Sequence, residues 1–156
     1  MKIVLRDAAA TAALGAALAP VLLGRPGTVV FLHGDLGAGK TTVARGLLQA
    51  LGVAGAIRSP TYTLIEPYTV AGREVLHADL YRLNDAQELH QLGLVDDASA
   101  QALWLVEWPE RGAGVLPPPD ISLALSHFES GRLAALSGLD VEEIETIRTQ
   151  LAGHIV

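Results

Sequence analysis

Residues 34–41 read Gly-Asp-Leu-Gly-Ala-Gly-Lys-Thr and match G-x-x-x-x-G-K-[ST] at every fixed position. Such a loop works only between a buried strand and the first turn of a helix, and both flanks are of the required kind. Thr28 to His33 (TVVFLH) is a β-branched and aromatic run of the sort that forms a buried strand. Lys40 to Leu51 carries a helical apolar pattern. A strand–loop–helix unit of this type commits the chain to an α/β architecture.

Each residue type in the loop answers a requirement of a nucleoside triphosphate. Glycines let the backbone curl until successive N–H groups point at phosphates, which a side chain would block. The helix that starts there adds the positive end of its dipole. Lys40 would supply a full charge between the β- and γ-phosphates, and the Thr41 hydroxyl can ligate Mg²⁺. Lysine is otherwise scarce, with Lys2 as its only other occurrence against nine arginines. The base is read by elimination. Neither lysine sits in an N-K-x-D pattern and no Asp has a Gly three positions later, so the guanine-specific signals are missing and ATP is the expected nucleotide.

A P-loop enzyme also needs an acid at the end of a neighbouring strand to hold Mg²⁺ or orient water. Asp79 follows Val75-Leu76-His77-Ala78, and Glu107 follows Leu103-Trp104-Leu105-Val106. In an open α/β sheet the carboxyl ends of strands face the ligand crevice, so both acids can reach it. Glu107 has the cleaner apolar run and is assigned to the metal; Asp79 is assigned to the attacking water. Other candidates are weaker. His33, His77, His90, His127 and His154 have no metal-ligand spacing and read as structural or solvated. Ser59-Pro60-Thr61-Tyr62 lies where switch loops often lie, though a plain turn explains it as well. Trp104 and Trp108 read as core and rim.

Elsewhere, Asp7 caps a helix to Leu23, with Leu14, Leu18, Val21 and Leu22 on one face, and Gly24 to Gly27 end it. The basic start and the Ala17-Leu18-Ala19 run imitate a signal peptide, but Asp7, Thr11 and Pro20 favour the helix. No run of 18 apolar residues occurs. Tyr62–Val70 and Glu74–Asp79 form a hairpin across Ala71-Gly72. Asn84 and Gln87 open a short helix with Leu89 and Leu92 inward and Gly93 as its stop. Ile121–Phe128 and Arg132–Leu136 form a second hairpin turning at Ser130-Gly131. Asp140 and Glu143 cap a final helix on which Ile144, Ile147 and Leu151 share a face. The expected fold is a single three-layer α/β domain over residues 1–156, a P-loop NTPase-like mixed sheet flanked by helices.

Charge bounds the partners. The net charge is −6, with eight basic and five acidic side chains in residues 1–82 (+3) against three basic and twelve acidic in 83–156 (−9). Phosphate neutralisation carries most nucleic-acid affinity, so this chain is a poor candidate for gripping RNA or DNA unaided. Cysteine is absent, which excludes thiolate metal sites, disulfides and cysteine nucleophiles.

Five motifs occur in order: GDLGAGKTT at 34–42, SPTYTL at 59–64, HADLYRL at 77–83, Glu88-Leu89 with Leu92-Gly93, and LVEWPERG at 105–112. Over about residues 5–135 the chain resembles the bacterial TsaE (YjeE) family, small P-loop ATPases of tRNA threonylcarbamoyladenosine biosynthesis. The resemblance implies a cytoplasmic, Mg²⁺-dependent ATPase working with TsaB and TsaD. Those subunits attach threonylcarbamoyl to the adenosine beside the anticodon, and ATP hydrolysis resets the complex; tRNA is met only through it. The resemblance further implies that Asp35, Leu36, Gly37, Ala38, Gly39, Lys40, Thr41 and Thr42 bind the phosphates. It makes Thr41 and Glu107 the Mg²⁺ ligands, Asp79 an acid needed for hydrolysis and Arg132 a nucleotide contact, with Ala8 and Thr11 nearby. The tail after Leu139 has no clear counterpart in it. On the residues alone, a small-molecule kinase and a non-hydrolysing, nucleotide-dependent binding module stay open as alternatives, although no cluster of arginines suggests a kinase lid.

Overall fold

The computed structural model describes residues 1–93 and 100–155. In chain order the strands are β1 (Lys2–Leu5), β2 (Val29–His33), β3 (Ile65–Val70), β4 (Arg73–Asp79), β5 (Leu103–Glu107), β6 (Ile121–Phe128) and β7 (Gly131–Ser137). The helices are α1 (Ala8–Leu23), α2 (Lys40–Leu51), α3 (Glu88–Gln91) and α4 (Val141–Leu151), with a 3₁₀ turn at Pro109–Gly112. One sheet takes the order β1-β7-β6-β2-β5-β4-β3. Its centre, β6-β2-β5-β4, is parallel. β7 pairs antiparallel with β6 and with β1, and β3 pairs antiparallel with β4. The expected mixed sheet flanked by helices is therefore present.

Central parallel strands are buried on both faces, which is why β2 and β5 are apolar almost throughout. Alternate residues serve two cores. Val30, Leu32, Leu103 and Leu105 pack with Leu14, Leu18 and Leu22 of α1 and Leu47 and Leu48 of α2. Val29, Leu76, Trp104 and Val106 pack under Leu80, Leu83 and Leu89, with Val115 and Leu116 at the margin. The three long helices thus lie on one face; the other is closed by the short α3, the 3₁₀ turn and irregular chain.

Asp7 caps α1 as expected, its Oδ1 accepting from the Ala10 N–H at 2.7 Å. The far end of α1 is capped by a distant cation, because Arg73 donates to the carbonyls of Leu22 and Arg25 at 2.6 Å each. α1 and α2 cross with no room for side chains. A Cβ on Gly15 would lie 2.0 Å from Val43 O, and one on Gly46 would lie 2.1 Å from Ala12 O.

Several elements differ from the sequence reading. β1 has no sequence signal of its own, since four residues hold only two cycles of outward–inward alternation. The first hairpin strand starts at Ile65 instead of Tyr62. Leu64 donates its N–H to Pro60 O at 2.9 Å and turns at φ 65°, which leaves Tyr62 85% exposed. The expected Asn84–Gln87 capping box is not formed: the N-cap of α3 is Gln87, with no side-chain cap, and in the turn before it Asp85 Oδ1 accepts from the Gln87 N–H and Glu88 Oε1 from the Asp85 N–H. Leu89 is buried there, but Leu92 is 41% exposed. The second hairpin turns at Glu129-Ser130, with Gly131 already opposite Phe128. Gly131 is glycine for a steric reason, because a Cβ there would lie 2.2 Å from Leu5 O.

The final helix has the full capping box. Asp140 Oδ1 accepts from the Glu143 N–H at 2.9 Å and Glu143 Oε2 from the Asp140 N–H at 2.8 Å. Its buried face, Ile147 and Leu151, with Ile144 half-buried, lies in the core beside α1. Asp140→Ala is expected to cost about 1 kcal/mol of stability, the usual worth of an N-cap, read from urea unfolding. An unchanged midpoint would mean the helix is held by packing alone.

Candidate active site

The site stands at the carboxyl ends of β2, β5 and β4. After His33 the chain turns through Gly34 at φ 143°, where a Cβ would lie 2.6 Å from Leu125 O. It reaches α2 through Gly37 at φ 79° and Gly39 at φ 108°. Gly39 is the N-cap of α2 and offers no side-chain hydrogen bond. The first N–H groups of a helix have no intrahelical partner, so those of α2 open toward the cleft in front of it.

Lys40 is 5% exposed, and its ammonium donates to Gly34 O at 2.6 Å and Asp35 O at 2.8 Å. The same ammonium lies 4.1 Å from the ring centroid of Trp108. Burial pulls its pKa down from the usual lysine value, while Glu107, Asp79, Glu110 and Asp35 push it back up. Glu107, 1% exposed, divides its carboxylate: Oε1 accepts from the Thr41 hydroxyl and Oε2 is bonded to His77 Nε2, both at 2.8 Å.

Asp79 is the register partner of Glu107 across β4 and β5. Its N–H donates to Leu64 O at 2.9 Å, so the Ser59–Leu64 loop is tied to the acid's own backbone. Oδ1 accepts from the Tyr81 N–H at 3.1 Å. Burial raises the Asp79 pKa above the ordinary carboxylate value and Glu107 raises it further; the Tyr81 hydrogen bond, His77 and Lys40 oppose the rise. A carboxyl whose pKa is higher folded than unfolded binds more protons in the native state. Stability then falls as pH climbs from the unfolded value through the folded one. Asp79→Asn is therefore expected to raise the thermal midpoint at pH 7. The gain should vanish below about pH 3.5, where the carboxyl is protonated in both states. Melting the two proteins across pH tests this, and equal midpoints at neutral pH would count against it.

A cleft of about 490 Å³ joins these groups. Leu36, Gly37, Gly39, Lys40, Thr41 and Thr42 form one wall, and Ser59, Thr61, Asp79, Tyr81 and Arg82 form another. Glu107, Trp108 and Arg132 complete it. Two of the expected loop residues do not line it. The Asp35 side chain is exposed, and its carbonyl accepts from Lys40. Ala38 is fully buried, with its N–H given to Asp35 O at 3.1 Å. Thr11 comes close from behind, its methyl 3.1 Å from where a Gly39 Cβ would stand, while its hydroxyl bonds Asp7 O at 2.9 Å. Ala8 is exposed at the first residue of α1.

The donors fit a Mg²⁺–triphosphate. Thr41 and Glu107 offer adjacent hard oxygens, and Mg²⁺ takes one or two protein carboxylates with phosphate oxygens and water filling the rest. Among the described residues no group of three His, Asp or Glu forms a cation cage by itself. Arg132 lines the cleft with its Nε buried and unpartnered, a donor suited to an anion.

His77, Trp108, Tyr81 and Arg82 were not singled out for the site by sequence reasoning. His77 had a signal, since it lies two residues before Asp79 on one strand and so shares its face. Tyr81 and Trp108 stack at 5.0 Å between centroids, and Arg82 lies over the Tyr62 ring at 5.0 Å. Trp104 is core, as expected. No helix among the described residues is long and apolar enough to cross a membrane.

A family model described as threonylcarbamoyl adenosine biosynthesis protein TsaE matches residues 5–134. The tRNA threonylcarbamoyladenosine biosynthesis protein TsaE of Haemophilus influenzae is 47% identical over 104 residues, 67% of this chain and 66% of that protein. The protein of the same name from Bacillus subtilis is 38% identical over 101 residues, 65% of this chain and 63% of its own length. The chain thus spans a little under two thirds of these curated relatives. The crystal structure of Bacillus subtilis YdiB superposes with a TM-score of 0.72 at 26% identity, covering 97% of this chain and 93% of that one. With the family model matching most of its length and the folds superposing from end to end, this chain belongs to the TsaE family.

Proposed function

We propose that this protein binds ATP with Mg²⁺ in the cleft and hydrolyses it, in support of tRNA threonylcarbamoylation with TsaB and TsaD in the cytoplasm. The observation that carries the reading is the Thr41–Glu107 pair beside Asp79 and Lys40, at the ends of three neighbouring parallel strands. Mg²⁺, when bound, neutralises charge building on the β- and γ-phosphate oxygens. Thr41 and Glu107 hold that ion. Lys40 moves its ammonium from the loop carbonyls to the phosphates, and Arg132 gives its free Nε–H to the same anion. Asp79 sits one strand over, where it can orient water and accept a proton; a carboxyl raised by burial is a better base than an ordinary one.

A net-acidic chain with its acid excess in residues 83–156 is poorly suited to hold tRNA directly, which supports contact only through partner subunits. The test is phosphate release from ATP by the purified protein, alone and with TsaB, TsaD and tRNA. Release that rises strongly with the partners supports both halves of the proposal. ATP binding without release under either condition would return the chain to a binding module.

A further inference from the structure

His77 has no exposed surface, and it lies on β4 facing the same side of the sheet as Asp79. Its Nε2 is 2.8 Å from Glu107 Oε2, and its Nδ1 is buried without a hydrogen-bond partner. These contacts assign the tautomer. An ionised carboxylate only accepts, so Nε2 carries the proton. The ring therefore acts as a donor aimed at one oxygen of one acid.

That donor matters because the last torsion of a glutamate is broad and nearly free. Held only through Oε1, the Glu107 carboxylate would swing about the Thr41 contact. Held also through Oε2, its plane is fixed, and the remaining lone pair of Oε1 stays beside the Thr41 hydroxyl. We propose that His77 is a positioning residue: its Nε2–H locks the plane of Glu107 so that Glu107 and Thr41 present their oxygens to Mg²⁺ in one preset geometry. This rests on the proposed Mg²⁺–nucleotide site.

The test uses three variants of the full chain. His77→Leu fills the space without a donor. His77→Gln returns an N–H at about the reach of Nε2, and His77→Asn carries the same amide too short to reach. Affinity for a non-hydrolysable ATP analogue is measured by calorimetry with and without Mg²⁺, and folding is checked by circular dichroism. Loss of a partner that orients a metal ligand typically weakens metal affinity by about 10–100-fold. The Mg²⁺-dependent gain in affinity is thus expected to fall by about tenfold or more in His77→Leu and His77→Asn, with Mg²⁺-free affinity unchanged, and to be largely restored in His77→Gln. A parental Mg²⁺ gain in a folded His77→Leu or His77→Asn protein overturns the proposal, and so does equal loss in His77→Gln and His77→Asn. Should His77→Leu fail to fold, the Gln and Asn pair decides alone. A parent whose affinity ignores Mg²⁺ would overturn the underlying site reading, and that result is distinct because it appears before any variant is made.

Discussion

Glu107→Gln is expected to lower ATP hydrolysis by roughly 10²–10³, the scale on which one preorganised transition-state contact acts. The amide keeps the shape of the side chain and one acceptor oxygen, so the variant should remain folded. It loses the charge that the proposed Mg²⁺ site needs and must point its NH₂ toward either His77 or Thr41, both of which direct donors at the native carboxylate. Glu107→Ala goes further, leaving two donors facing an empty buried space, each unmet partner costing about 1–3 kcal/mol. Steady-state phosphate release and thermal melting separate the two effects. Near-parental release by a folded Glu107→Gln protein would move the metal to another acid, with Asp79 the first to examine.

Gly46→Val is expected to cost about 3 kcal/mol, at the upper end for overpacking, because the obstruction is backbone. The new Cβ would stand 2.1 Å from Ala12 O, and a β-branched side chain cannot turn away from a helix crossing it already fills. Relief requires α1 and α2 to part, which also lifts the phosphate loop from its seat. The thermal midpoint should drop by about 6–12 °C, and nucleotide affinity should fall with it. Gly153→Ala is the matched control, since a Cβ there meets nothing within 4 Å. Equal midpoints for the two variants would mean the helices tolerate separation.

The features legible in the sequence were those whose signals are local. A glycine loop between an apolar strand and a helix, acids closing two apolar runs, and a capping box are each contained within a dozen residues. All three were found where the structure has them. The Glu107–His77 bond was hidden because it joins residues 30 apart through strand pairing, and histidine in an apolar run resembles any buried polar residue. Gly15 illustrates the same limit. In sequence it only weakens a helix, and its purpose appears once Val43 lies across it. The late start of β3 was missed because the Thr61-Tyr62-Thr63 run has strand propensity, which the tie from Asp79 to Leu64 overrides.

The two outer strands of the sheet bear on how this chain meets others. β3 carries Pro67, which has no N–H to offer a ladder, and β1 is four residues long with its end bridged by Ile155. Arg6 also binds the Gly153 carbonyl just beyond that bridge. Short, proline-bearing or covered borders of this kind resist strand-by-strand growth. Such borders disfavour runaway self-association by pairing of one chain's sheet edge with another's.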